Sequence, residues 1–382
     1  MRWVSSVLLD VLKYRKDKKM PSRAKNVIGT HAVVWFLCTL PAFGQLVSTE
    51  FSDFLQRHIG FSKSDLRKVE QGKVVTKALD TEVKSEVAIF GVILVRVPID
   101  LFVQKFRDIE QFKKSEKVLQ IGRFSNPPTR SDLNELSLEL GDLRDIRKCR
   151  VGKCEIKLSA EVIVRLQKEV DWSVSGHYFQ VTSLAQKMLI EYVTSYLQGG
   201  NAALTVYHDQ KIPVSLEEQF RELLQESPYL FEYVPEFHEY LEKFPEVELS
   251  GVEDFIYWSK EDLGLKPVIT LTHVSIYQRD SQSRPPILIS SKQIYANHYF
   301  EGSLGLTALV PVRPVQVDDP APGFFLLYLN RSRANQLDGT FSGIKHRIVE
   351  GRAKSAMKEN MKRIKAQLEV DSRVASKTER TE

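Results

Sequence analysis

The sequence predicts an α+β protein: an antiparallel curved sheet packed on a long C-terminal helix, with a large helical insertion. Three observations lead there. The segments PVITLTHVSIY, PPILISSKQIYANHYF, GSLGLTALV and GFFLLYLNRSR are rich in β-branched and aromatic residues and lie too close together for helical crossovers, so they read as an antiparallel meander. After the turn QLDGT, the residues Ile344, Ile348, Ala356, Met361, Ile364 and Leu368 recur at three-to-four-residue spacing and form one apolar stripe of a helix. Between an upstream strand–helix–strand pattern and the meander, about 120 residues read as helical.

Taken in order, the chain of 382 residues is long enough for about two domains, and 42% hydrophobic with 10% aromatic residues is ordinary for a protein with a packed core. Eight of its 54 Lys and Arg but only two of its 49 Asp and Glu fall within residues 1–44, so the remainder carries a formal charge of −1. That balance removes the electrostatic argument for a nucleic-acid partner.

Residues 1–44 read as a signal peptide: basic residues from Lys13 to Lys25 precede the apolar run VIGTHAVVWFLCTLPAF, and Ala42-Phe43-Gly44 suits cleavage before Gln45. Met20 is an alternative start, and an uncleaved anchor is the alternative reading of the run, which falls short of the ~20 residues of a membrane helix. Trp35-Phe36-Leu37 before Cys38 lacks the small residue of a lipoprotein site. No other stretch is apolar enough to span a bilayer, so the mature chain is expected to be exported, periplasmic or secreted, without an integral span.

Residues 45–85 form an N-terminal helical segment, TEFSDFLQRHIG and SKSDLRKVEQGKVVTKAL, with Ser62 or Ser64 as a cap and Gly72 as an interruption. Over 86–125 come a strong strand, KSEVAIFGVILVRVP, a helix with Leu101, Phe102, Phe106, Ile109 and Phe112 on one face, and the strand KVLQIGRFS. The insertion spans 126–250: SDLNELSLELGDLRDIRKC, SAEVIVRLQKEVDW and TSLAQKMLIEYVTSYLQGG each read as one helix, and Ser215 with Glu218 makes a capping box for the next. The aromatic segment YLFEYVPEFHEYLEKFPE closes it, as core or as the cover of a cavity mouth. The sheet resumes over 251–368, beginning with VEDFIYWSK, and 369–382 reads as a disordered tail.

Cys149 and Cys154, in RKCRVGKCEIKL, flank a Val-Gly turn and can close as a disulfide in an oxidising compartment, or remain two thiols. No other soft ligands stand near them, the eight histidines lack metal-site spacing, and no nucleophile elbow, phosphate loop or dinucleotide fingerprint occurs, so no metal, cofactor or catalytic residue is expected.

The strand–helix–strand opening EVAIFGVILVRVPIDLFVQKFRDIEQF, followed after an insertion by antiparallel strands and a long helix, resembles the START-like (SRPBCC) helix-grip superfamily over residues 86–124 and 252–368. The phrases CRVGKCEIKL, KQIYANHYFEG and LYLNRSR look like those of uncharacterised exported bacterial proteins. The resemblance implies a cavity between sheet and helix for an apolar or amphipathic, lipid-like small molecule, with catalysis in some branches only.

Candidate contacts for such a ligand are His273 and His298, within the strands VITLTHVSIY and QIYANHYF, and Tyr295 and Tyr299 on the opposite face from His298. Asn330, Arg331 and Arg347, around the last turn before the helix, suit an anionic head group. The plainer reading, which the residues favour, is that each histidine is a satisfied core residue and the arginines partner the strand-to-helix turn. Three readings stay open: an exported binding protein, a cavity enzyme using His273 or His298, and a structural envelope protein without a ligand. Protein partners are not legible.

Overall fold

The computed structural model describes residues 48–262, 266–279, 285–312, 323–335 and 342–378. Residues 1–44, expected from the sequence to be a signal peptide, lie outside the described residues.

Helix α1 (Thr49–Arg57) starts at Ser48, whose side chain accepts from Phe51 N, and α2 (Lys63–Glu70) starts at Ser62 in a capping box with Asp65. The helical pattern expected to continue through VVTKAL stops here. Gly72 takes φ +70°, its N–H bonds Val69 O and Lys73 N–H bonds Lys68 O, a Schellman close that only the left-handed residue permits. Val75 and Thr76, stiff at χ1, then favour an edge strand, β1 (Val75–Leu79), with Val75 opposite Val92.

Strand β2 (Glu86–Val95) is buried along its whole length. It leads through α3 (Ile99–Arg107) and α4 (Ile109–Lys113) to β3 (Val118–Arg123). The meander is β6 (Val252–Glu261), β7 (Val268–Gln278), β8 (Ile287–Ala296), β9 (Phe300–Pro311) and β10 (Phe324–Ala334). All belong to one eight-stranded antiparallel sheet, order β1-β2-β10-β9-β8-β7-β6-β3, which curves without closing into a barrel.

The insertion between β3 and β6 comprises a 3₁₀ turn (Arg130–Leu133), α5 (Leu140–Lys148), α6 (Ala160–Glu169), α7 (His177–Gly199) and the small hairpin β4 (Val206–Tyr207) and β5 (Val214–Ser215). Helices α8 (Leu216–Gln225), α9 (Pro228–Tyr233) and α10 (Pro235–Lys243) complete it. The single helix expected over SDLNELSLELGDLRDIRKC is broken in two by bonds to the sheet. Trp258 Nε1 donates to Asp132 O at 2.8 Å, Lys260 Nζ to Ser137 O at 3.0 Å, and Gln120 Oε1 accepts from Ser137 N at 3.1 Å. Cys149 and Cys154 form a disulfide across a turn at Gly152, which has φ +79°.

Helices cover both faces of the sheet. On one face, Phe90, Val92, Trp258, Leu271 and Leu329 pack against insertion residues such as Tyr196 and Leu223. On the other, concave face, Ile89, Ile93, Val274, Ile289 and Leu326 share a core with α11 (Ser342–Thr378), which lies on β1 and β2. The seated stripe of α11 is Val349, Ala353, Met357, Met361 and Leu368, with Ala356 and Ile364 at its margin. Ile348, expected in the stripe, is exposed, and the side chain of Ile344 lies outside the described residues. The helix also continues to Thr378, beyond the Leu368 at which the apolar period ends, and Lys105 holds Asp371 at 2.9 Å.

The seat of the helix is Gly91 on β2. A Cβ there would stand 2.6 Å from Met361 Sδ and 2.7 Å from Met357 Sδ, so the missing side chain is what lets the helix approach. Gly91→Val should cost about 1–3 kcal/mol by overpacking, read as a lower urea midpoint. An unchanged midpoint would mean that the two methionines do not bear on β2.

Candidate functional site

Antiparallel partners project to the same face, so the register assigns every strand side chain to one helical layer or the other. His273 is opposite Lys292 and faces the insertion. Its Nε2 donates to Asp254 Oδ1 at 2.9 Å and its Nδ1 accepts from Tyr196 OH at 2.8 Å, while Tyr240 OH donates to Asp254 Oδ2 at 2.5 Å. Burial pushes the His273 pKa below its ordinary value, the Lys292 charge adds to this, and the Asp254 bond opposes it; the ring is held neutral.

Tyr295 faces the insertion too, donating to Lys157 O at 3.1 Å beside the rings of Tyr192 and Tyr207. His298 lies in the β8–β9 turn, 3.1 Å from Asp142 of α5, both side chains being buried. Tyr299 follows with φ 62° and accepts from Lys266 N. Arg331 is paired rather than free: Glu86 takes Arg331 Nη1 at 2.6 Å on one oxygen and Arg333 Nε at 2.9 Å on the other, with Glu222 and Glu226 of the insertion completing the cluster. Arg347 is exposed on α11. Of the seven expected contacts, only Asn330 lies in the polar network on the concave face, so the set is not one site.

Sequence reasoning missed what the concave face does carry. Lys113, at the end of α4, donates to Glu261 at 2.7 Å and to Tyr257 OH at 3.3 Å. Ser259 Oγ donates to the same Glu261 oxygen at 2.8 Å and lies 3.1 Å from Thr270 Oγ1. On β10, Asn330 Nδ2 reaches Tyr328 OH and Ser303 Oγ, each at 3.4 Å, and Asn330 Oδ1 accepts from Ser332 Oγ at 2.9 Å. Gly305 sits beneath the Tyr328 hydroxyl, where a Cβ would come within 3.1 Å of the oxygen. Burial acts to lower the Lys113 pKa, but the charges of Glu261 and Tyr257 and the hydrogen bonds to both together outweigh it and raise the pKa. Lys113 in turn holds the Glu261 carboxyl below its ordinary range despite burial, so both stay ionised.

Between these two groups, Thr272 and Gln293 are cross-strand partners, as are Ser291 and Gly305, and all face α11's side of the sheet. Gln293 is flanked by Lys292 and Ile294, which both face the insertion. Its Oε1 is buried with no hydrogen-bond partner among the described residues. Thr272, Ser291, Gln293, Thr307, Tyr328 and Asn330 keep 5–8% of their surface accessible. The apolar neighbours Val274, Ile276, Ile289 and Leu309 on the same face keep 0–1%. The face turned to α11 therefore carries an apolar stretch and a hydroxyl- and amide-rich stretch side by side, both buried. A serine, threonine or glutamine inside a strand is the available sequence signal for this, but alternation alone does not separate it from a solvated face.

A second missed residue lies behind the sheet. Lys292 Nζ donates to Asn201 Oδ1 at 2.6 Å and is boxed by the rings of Phe220, Tyr196 and Phe244 at 4.4, 4.9 and 5.3 Å. Burial drives its pKa down to about 7, against the opposing charge of Asp254. Among the described residues no group of His, Cys, Asp and Glu is arranged to hold a metal ion, and no helix is long and apolar enough to cross a membrane. No protein-family model matches the chain, and no curated protein matches it.

The buried lysine sets a pH dependence. The unfolded side chain takes its proton at about 10.5 and the folded one at about 7, so between these values the unfolded chain binds more protons and stability rises with pH. The cost is fully present below about 7 and is gone above about 10.5. Lys292→Met should be stabilised relative to the parent by up to a few kcal/mol on the acid side of that window, with the gap closing towards its alkaline end in pH-resolved thermal denaturation. A gap constant across the window would sink this assignment.

Proposed function

We propose that the protein is an exported binding protein of the START-like helix-grip type that holds one apolar or amphipathic small molecule on the concave face beneath α11. The supporting observation is the mixed character of that face: apolar side chains beside a hydroxyl- and amide-rich stretch in which Gln293 Oε1 is buried with no hydrogen-bond partner among the described residues. Ligand sites of this kind are mostly apolar walls with a few polar groups that fix orientation. The order strand, helix pair, strand, antiparallel meander and long terminal helix is compatible with a helix grip, and it places β2 and β3 far apart in the sheet with the meander between them. Neither His273 nor His298 faces this space: one is bonded to the insertion's Tyr196 and the other to Asp142. Binding is therefore favoured over acid–base chemistry by those residues at the concave face.

The test is uptake of the neutral fluorophore Nile red by the purified protein, together with mass spectrometry of its solvent extract. Saturable uptake near one per chain is expected, weakened about tenfold or more by Ser291→Leu, which sets a larger apolar side chain between Val274 and Gly305. Circular dichroism of the variant should match the parent. Absence of saturable uptake combined with an empty extract would leave the structural reading in place of this one.

A further inference from the structure

We infer that the molecule held on the concave face is electrically neutral and presents a hydroxyl group to Gln293, as an acylglycerol or sterol alcohol does and an ionised fatty acid or phospholipid does not. This rests on the binding reading above.

The argument starts from charge. The ionised groups of the polar network, Lys113 and Glu261, are joined at 2.7 Å and cancel, with the Tyr257 and Ser259 hydroxyls bonded into the pair. The cluster Arg331, Arg333 and Glu86 is turned to the other face of the sheet. A carboxylate or phosphate brought into the network would lose its hydration and meet a lysine already committed to Glu261. Burying an ion without a counter-ion costs more than the few hydroxyls there return.

The second step is the chemistry of what is offered. Around Gln293 stand Thr272, its cross-strand partner, and Tyr257 opposite Thr272; Ser291 and Gly305 follow on the next strands. These are neutral donors and acceptors. A ligand hydroxyl both donates and accepts, so it satisfies the Gln293 amide whichever way the amide is turned. Gln293 as a whole is 8% exposed, and its buried amide oxygen has no protein partner among the described residues, which is a cost in the folded chain that a bound hydroxyl removes. The apolar side chains Val274, Ile276 and Ile289 extend from it along the same strands.

The experiment uses two matched pairs on the full-length protein: 1-monododecanoylglycerol against dodecanoate, and cholesterol against cholesteryl hemisuccinate, each displacing Nile red at neutral pH. Within at least one pair the neutral alcohol should bind about tenfold tighter or more than the carboxylate. Gln293→Leu should remove that preference, about tenfold in alcohol affinity, while its thermal midpoint stays level or rises, because an unpartnered buried amide is replaced by an apolar group. A structural glutamine would instead lower the midpoint on replacement. Equal or tighter binding of both carboxylates, or undiminished alcohol binding by Gln293→Leu, overturns the neutral-hydroxyl assignment and leaves the binding reading standing. Failure of all four compounds, with no saturable Nile red uptake, overturns both.

Discussion

One sheet serves two helical layers, and most of the architecture follows from that. Antiparallel sheets commonly leave one face to water and show it as apolar–polar alternation. Here β2 is buried at every position, and β7, β8 and β10 are buried at nearly every one, since the insertion covers one face and α11 with α3 the other. Each strand residue must suit one of two interiors, and a polar side chain pointing either way has to find a partner there.

The two interiors meet that demand differently. Behind the sheet, polar groups act between elements. Glu86, fully buried, draws Arg331 and Arg333 together, and Arg333 reaches Glu222 on α8; Tyr192 OH donates to Ile294 O at 2.5 Å and Tyr207 OH accepts from Ala296 N at 2.9 Å. Removing one partner of such a buried set is costly because the other is stranded. These contacts hold the insertion to the sheet. Lys292, boxed by three rings and bonded to Asn201, has no direct carboxylate partner among the described residues. In front of the sheet, the network from Lys113 to Ser332 runs largely among strand residues and a single short helix, so it does not fasten α11 down. Apolar packing of Met357 and Met361 over Gly91 does that.

Several elements were legible because their signals are local. The meander, the capped starts at Ser62 and Ser215, the stop at Gly199-Gly200 and the Cys149–Cys154 pair depend on residues within a few positions of one another. The helix expected through VVTKAL gave way to β1 because a Schellman close at Gly72 ends α2 and β2 offers an edge to pair with. The helix expected over Ser131–Cys149 gave way to side-chain bonds from Trp258 and Lys260, more than a hundred residues away. The stripe on α11 was read one residue out of phase at its start, where Ile348 and Val349 are both apolar and only packing chooses between them.

By itself the sequence determined the α+β class, the meander and the amphipathic terminal helix, since hydrophobic period, turn residues and strand spacing are properties of neighbouring residues. Only the tertiary structure decided which way each strand residue looks. With both faces apolar, alternation carries no sign: His273, Tyr295 and Arg331 turn to the insertion, Asn330 and Gln293 to α11, and a one-residue bulge beside Leu271 reverses the phase along β8. That choice rests on strand register and on which layer holds a partner for each polar group, both of them long-range facts that no local window contains.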